Sequence, residues 1–448
     1  MSLFGALSTA ISGLNAQSAA FGNISDNVAN SQTTGYKRVD TSFQDYLTTS
    51  TATVNESGAV VAQPDYVNNV QGTVSQSDNP LALAITGQGF FAVSQATGIV
   101  NNVPTFDPEQ YYTRNGNFSM NAEGYLVNTA GQYLNGWTAD ISKGAINQNA
   151  LVPIQVTQTS YNPQATTKVT LSANLPATPA SGTATTTSPL SSQITVYDSL
   201  GTAQTIDLNW SQTSSNDWTL DIKAVSNTGT TTDCGSADIV FGSTTGITVP
   251  DGTIGSVVSD PSSSLALTTS DATSPTAGSA AWLRFNAPFG SSGSQPIMLN
   301  LGTYGGTSGL TQYAGTTYNL EGLTQDGVPP GSYSSVTMQE NGDVVVNYNN
   351  GQSRTIAQIP LVTFNDPNQL QRQNGQAFSA TTTSGQPLAN AVNTNGAGSL
   401  VTSSVENSNV DIATEFSQLI VAQEAYSANA KVVTSSDQML QVTINMKT

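Results

Sequence analysis

Apolar side chains at the two extremes of the chain follow one spacing rule, and that rule limits what the ends can become. Leu3, Leu7, Ala10, Leu14, Phe21, Ile24 and Val28 recur in alternating steps of four and three, with Gln17 as the polar member of the register. At the far end Ile412, Phe416, Leu419, Tyr426, Ala430, Val433, Leu440 and Ile444 keep the same alternation, with Gln423 and Asp437 as polar members. Such steps average 3.5 residues, the narrow seam of a coiled coil rather than the broad stripe a helix turns toward a globular core. Each end is therefore predicted to be a helix. Asn30, Ser31, Thr33, Thr34 and Gly35 stop the first; Ser408 or Asn409 caps the second, with Asp411 and Glu415 in or near its first turns. An isolated helix is marginal in water, whereas burying each large apolar side chain contributes roughly 1.5–3 kcal/mol. The two ends are thus expected to order against each other and against neighbouring copies.

The chemistry open to the chain is narrow. It contains no histidine, so His-based catalytic relays and His-containing metal sites are excluded. The single cysteine, Cys234, allows no internal disulfide and no CxxC motif. Asp/Glu acid–base work is the main enzymatic route left. A net charge of −18 disfavours nucleic acid and anionic lipid as partners. Charged residues make up only 9%, so the surface is polar without being charged, a pattern suited to surface-assembled β-rich proteins. No Lys or Arg precedes Lys37, so the first residues lack the positive region of a cleaved secretory signal, and polar residues interrupt them too often for a membrane span.

Between the ends the chain reads as β. Residues 31–75 form an extended or hairpin-like connector. Short strand candidates bounded by Gly, Asn and Pro follow, among them 81–85, 90–93, 124–128, 132–137 and 151–156. Asn-Gly pairs at 115–116, 135–136, 341–342, 350–351, 374–375 and 395–396 are hairpin signals, and none lies between 160 and 320. That interval opens on a Thr/Ala/Pro/Ser-rich stretch and closes on Gly/Ser-rich segments. In it Lys168, Lys223 and Arg284 stand against nine aspartates, as in a solvated outer domain. The predicted fold is mixed α and β and multidomain: terminal helices pairing as a coiled coil (1–30 with 407–448), a connector (31–75), a mainly antiparallel β domain (76–159 with 321–406) and an inserted β domain (160–320).

Tempting motifs carry little. Gly87-Gln88-Gly89-Phe90-Phe91-Ala92 matches a dinucleotide fingerprint, but a strand rather than a helix follows it. Asp107 with Glu109, or Asp198 with Asp207, are chance proximities among 29 acidic residues. Trp137, Trp210, Trp218 and Trp282 lie in strand-like runs and read as sheet core. Neither a catalytic, a cofactor nor a metal site is expected.

Two terminal runs then carry a resemblance. Residues 27–38, NVANSQTTGYKR, with Asn27, Asn30, Thr34, Gly35, Tyr36 and Lys37, resemble the N-terminal signature NNIANxxTxGFKR of the bacterial flagellar rod and hook proteins. Ser408, Asn409, Val410 and Asp411, with Glu415, Gln423, Tyr426 and Asn429, resemble the C-terminal signature. NPLALAITGQGFFAV from Asn79 and YTRNGNFSMNAEGYLVNTAGQYLNGW from Tyr112 are similar to the body domain the family shares. VYDSLGTAQTIDLNW from Val196, QDGVPPGSY from Gln325 and FNDPNQLQRQNGQAF from Phe364 are similar to its hook members. Tyr36 stands where Phe is usual, and Glu424 where Arg is frequent, so no ion pair of that Arg carries over. The resemblance implies a subunit of a curved helical tube of identical copies, a universal joint between motor and filament. It implies an extracellular protein exported unprocessed by the flagellar type III apparatus and assembled beneath a hook cap, with rod and hook-filament junction proteins at the tube's ends. The end helices would line its channel and the β domains form outer shells. A distal rod protein of the same family is the near alternative; a secreted carbohydrate-active enzyme or a surface adhesin are alternatives of another class.

Overall fold

The computed structural model describes residues 3–50, 55–100, 103–140, 145–226, 229–259, 268–269, 276–289 and 293–445. The chain divides into two compact units, one of residues 1–158, 334–347 and 353–448, the other of 159–333 and 348–352.

In the first unit the ends are helices. Helix α1 (Leu3–Ala29) contains no proline. It ends at Ala29, and the turn that follows closes on Gly35, whose φ of +72° is open to glycine and strained for most other residues. Helix α2 (Ile412–Asn445) starts at Asp411, whose Oδ1 accepts from the backbone N–H groups of Ala413 and Thr414 at 2.9 and 3.3 Å. Asp411 is therefore the cap, not Ser408 or Asn409: Ser408 Oγ bonds to the nearby Val410 N–H, and the Asn409 side chain is committed elsewhere. The connector is a long antiparallel hairpin, strands β1 (Val39–Ser50) and β2 (Asn55–Tyr66), with α1 lying against it.

The body of this unit is an antiparallel sheet. Strand Gln132–Ala139 pairs with Phe91–Val100, which pairs with Tyr111–Thr113, which pairs with Ala377–Ser379. Phe90, Tyr112, Phe364 and Phe378 fill the core beneath it in edge-to-face contacts, Tyr112 and Phe364 at 4.9 Å. The outgoing and returning limbs of the chain pair twice, Val74–Gln76 with Ser404–Glu406 and Leu83–Thr86 with Ser399–Thr402. That double pairing sets residues near 37 beside residues near 406.

The second unit is two sheets face to face over one core. One is a five-stranded antiparallel meander: Leu190–Tyr197, Ala203–Ser214, Asp217–Val225, Thr231–Phe241 and Ile254–Ser259. The other centres on Lys168–Asn174, which pairs in parallel with Ser294–Thr303 and antiparallel with Asn319–Gln325; Ala280–Pro288 joins the far side of Ser294–Thr303. Trp210 and Trp218 are fully buried in this core, and Trp137 is buried in the first unit. Trp282 departs from the expected role: Ala281, Leu283 and Phe285 point inward, so Trp282 lies on the outward side, half-buried. Cys234 is buried in the same core, and burial pushes its thiol up to about 11, far from reactive.

Candidate functional site

The terminal signatures meet where the limbs of the chain cross. Gly35 is pressed against a turn: a Cβ there would stand 2.5 Å from the Asn115 backbone nitrogen. Its N–H donates to the Glu406 carbonyl at 2.8 Å. The chain next buries Lys37, whose Nζ lies 2.5 Å from Glu406 Oε1 and donates to the Val70 carbonyl at 2.7 Å. Arg114 reaches the other carboxylate oxygen, Nη1 to Glu406 Oε2 at 3.0 Å, and its Nη2 donates to the Gly87 carbonyl at 2.8 Å. Gly72 adds its N–H to Glu406 Oε1 at 2.9 Å. All three ionic side chains are sealed from water. Burial pulls the Lys37 ammonium down to about 8; Glu406 pulls it back up and Arg114 pushes it further down. Burial likewise lowers Arg114, against the pull of Glu406.

Asn27 forms a second knot. Its Nδ2 donates to both Glu415 carboxylate oxygens at 3.2 Å and to the Val39 carbonyl at 2.9 Å. Its Oδ1 accepts from Val39 N–H at 2.9 Å and from the Tyr36 hydroxyl at 3.2 Å. The Arg372 guanidinium lies over the Tyr36 ring, 4.6 Å from its centroid. Asn409 Oδ1 accepts from Arg38 N–H at 2.7 Å while its Nδ2 donates to the carbonyls of Val67 and Val70 at 3.1 Å. Asn27, Gly35, Tyr36, Lys37 and Asn409 thus converge on one junction. Asn30 bonds within its own turn, to the Asp26 carbonyl, Ser408 bonds to the nearby Val410 N–H, and among the described residues Thr34, Ser408 and Val410 make no bond across the junction. Sequence reasoning missed Arg114 and Glu406. The available signal was the scarcity of charge: isolated ionic residues inside strand-like runs of a chain with few charges invite a buried partner.

Glu415 is buried, and this raises its carboxyl above the usual carboxylate range; Asn27 eases the shift, while Asp40 and Asp411 add to it and Arg38 opposes it. Because the folded pKa lies above the unfolded one, the folded state holds the proton more tightly, and stability falls as pH rises through that window. Glu415→Gln should therefore melt higher than the unaltered chain at pH 7, with the gain vanishing as pH is lowered to about 4. A gain in Tm that is the same at both pH values would remove this account of the carboxyl.

The helices touch along part of the expected seam. Phe21 and Tyr426 meet edge to face, ring centroids 6.2 Å apart, and a Cβ on Gly13 would stand 2.9 Å from Asn429 Nδ2. On α1, Ala10 and Ile24 are buried and Leu7, Leu14, Phe21 and Val28 half-buried. On α2, Leu419, Val433 and Leu440 are half-buried, but Tyr426 is 42% exposed, Ile412 40% and Phe416 51%. The second row of the covered face is Glu415, Ala422, Asn429 and Ser436, each one residue before its expected place. The side chains of Leu3 and Ile444 lie outside the described residues. The displacement follows from the residues of α2. Apolar side chains surround it, so more than one heptad stripe is available, and α1, with Gly13, Ala16 and Ala20, admits the small-residue stripe. Left uncovered are Phe416, Ile420, Val421, Val432, Met439 and Val442, and on the hairpin Phe43, Tyr46 and Leu47. A groove of about 510 Å³ runs between α1, α2 and β1, lined by Ile24, Val39, Phe43, Val421 and Ala422 among others.

The carboxylate pairs serve local structure. Asp107 and Glu109 both accept from the Tyr111 hydroxyl, and Asp198 accepts the Leu200 and Thr202 N–H groups of its turn. The motif at Gly87 runs into strand Phe91–Val100, and a Cβ on Gly89 would press Leu361 at 3.1 Å.

Comparison with known proteins agrees with the terminal signatures. Family models match in chain order: flagella basal body rod protein at residues 7–37, flagellar hook protein FlgE/F/G D1 domain at 84–174, flagellar basal body protein FlaE D2 domain at 162–328 and flagellar basal body rod FlgEFG protein C-terminal at 401–446. The flagellar hook protein FlgE of Brucella suis is 30% identical over 450 residues, covering 100% of both chains. That of Escherichia coli K12 is 27% identical, covering 99% of this chain and 100% of the relative. Among solved structures, the Helicobacter pylori flagellar hook protein FlgE2 aligns with a TM-score of 0.46 at 14% identity, over 73% of this chain and 98% of that one.

Proposed function

The chain belongs to the flagellar hook protein family and is a structural subunit of the flagellar hook, not an enzyme, and from that premise we propose that its two ends are the device by which identical copies build a helical tube. Residues 1–30 and 407–448 pair as a coiled coil lining the channel, 31–75 bridge outward, and 76–159 with 321–406 and the inserted 160–320 form outer shells. The proposed subunit leaves the cell unprocessed through the flagellar export apparatus, polymerises beneath a cap and meets rod and junction proteins at the two ends of the tube.

The observation that supports this most is the unsatisfied surface of α2. A helix 34 residues long lies against α1 yet leaves Phe416, Ile420, Val421, Val432, Met439 and Val442 in water. Apolar residues that surround a helix belong in an interior, and helices of neighbouring copies would supply one. The buried junction of Lys37, Arg114, Glu406, Asn27 and Glu415 then fixes how the helical ends leave the body, so that bending falls on contacts between subunits.

Circular dichroism of the monomer and polymer, beside electron microscopy, tests the reading. The full-length chain should form curved tubes that keep the helix signal of the monomer, while a chain lacking residues 1–30 and 407–448 should keep its β signal and form none. Tubes from the truncated chain would end the proposal.

A further inference from the structure

The second unit presents two outward sheet faces of opposite character. On the five-stranded sheet the buried residues Ile206, Leu208, Trp218, Leu220, Ile222, Ala237 and Ile239 point to the core, so their neighbours point outward. Those outward neighbours include Asp207, Asp217, Asp221 and Asp238, with Asp233 exposed at the bulge. Among the described residues the one cation on that face is Lys223, held by Asp221 at 2.9 Å. The opposite face carries a patch of different composition. Lys168, Met298 and Arg284 lie in one row across three strands, and Trp282 and Pro296 lie in the flanking rows. Arg284 is exposed with its guanidinium 5.7 Å from the Trp282 ring centroid, and among the described residues neither Arg284 nor Lys168 has a carboxylate within ion-pair distance. Glu321, which accepts from the Ser172 hydroxyl, and Asp326, which accepts from the Thr167 and Lys168 N–H groups and the Thr167 hydroxyl, sit at the edge and end of the sheet.

An outward Arg stacked on Trp beside Met is the composition of an interface centre, not of an ordinary sheet surface. In a chain with 29 acidic and 11 basic residues, two exposed cations that pair with no carboxylate among the described residues stand out. We propose that the Trp282–Arg284–Met298–Lys168 face of one copy docks on the carboxylate face, centred on Asp207, Asp221 and Asp238, of the next copy. The contact rests on the polymer reading above and specifies its outer partner. Because donor and acceptor faces lie on opposite sides of the same unit, the contact is heterologous and propagates from copy to copy without closing on itself, as a helical tube requires. Its electrostatic part is screened by salt, so outer cohesion tracks ionic strength.

The test uses full-length protein in three versions beside the unaltered chain: Lys168→Glu with Arg284→Glu, Asp207→Lys with Asp238→Lys, and all four together. Each single-face reversal should raise the critical concentration for tubes at least about tenfold at low salt, and the four-fold reversal should bring it back to within about threefold of the original. Because Asp207 lies across from Lys223 and Asp238 accepts from the Thr219 hydroxyl, each critical concentration is compared at a temperature where circular dichroism shows the variant monomer fully folded. Trp282 supplies a second readout: Trp137, Trp210 and Trp218 are already buried, at 4, 0 and 0% exposure, so acrylamide quenching reports chiefly on Trp282 and should drop in tubes. Tubes whose tryptophan stays as quenchable as in the monomer, or single-face reversals that assemble like the unaltered chain, would overturn this contact while leaving the polymer intact. Failure of the unaltered chain to form tubes would overturn the polymer itself and the contact with it.

Discussion

Replacing Glu406 by glutamine should lower the stability of the first unit by about 3–5 kcal/mol, the cost of breaking a buried ion pair on one side only. The carboxylate holds two cations that have no access to water, Lys37 and Arg114, and takes the Gly72 N–H as well. Glutamine has nearly the same shape, so the loss is electrostatic, not one of packing. Lys37, already pulled down to about 8, would fall further without its counter-charge. A base whose folded pKa is below its unfolded one gains stability as pH rises between the two, so the deficit of the variant should narrow as pH approaches 8. Adding Lys37→Met should recover only part of the loss, because it removes one stranded cation while the buried Arg114 guanidinium still lacks a counter-charge. Urea unfolding read on the transition of the first unit checks all three statements. A Glu406→Gln chain within about 1 kcal/mol of the original would mean that the cluster is not sealed as described.

The junction shows where sequence reading stops. Asn27, Gly35, Tyr36, Lys37 and Asn409 lie in runs that can be singled out because their order and spacing are local. Their common centre, Glu406, is 369 residues from Lys37 and 292 from Arg114. Only the double pairing of the two limbs brings them together. The Asn-Gly pairs divide in the same way. Asn350-Gly351 and Asn374-Gly375 turn hairpins, and the distant groups that touch them, the Pro329 carbonyl and the Gln132 amide, bond to the turns without displacing them. Asn135-Gly136 lies inside strand Gln132–Ala139, where a Cβ on Gly136 would press the Gln358 carbonyl at 2.8 Å, so close approach of a neighbouring strand overrides the turn propensity. The helices were legible as helices from their period, yet the face α2 turns to α1 was not. Period fixes a stripe only when one stripe is apolar, and Phe416, Leu419, Ile420, Val421 and Ala422 offer several.

That ambiguity makes the outward face of α2 the place where a single charge should have the largest effect on assembly. Phe416 and Ile420 are one helical turn apart and 51% and 56% exposed, so Phe416→Asp or Ile420→Asp removes only partial contacts within the subunit. The monomer should stay folded with its helix signal intact. In the tube proposed above, each change deletes roughly 1.5–3 kcal/mol of apolar burial and adds the cost of a carboxylate desolvated without a partner, which together exceed about 4 kcal/mol per copy. At 1.4 kcal/mol for each factor of ten, the critical concentration should rise by about a thousandfold, which in practice is no tubes. Leu419→Asp makes the contrast. It lies half-buried on the covered face, so it should disturb the α1–α2 contact first, lowering the helix signal of the monomer as well as abolishing assembly. Sedimentation with electron microscopy, beside circular dichroism of the monomer, separates the two kinds of variant. If Phe416→Asp and Ile420→Asp polymerise at the original concentration, the outward stripe is not an intersubunit surface, and the covered face alone must hold the tube together.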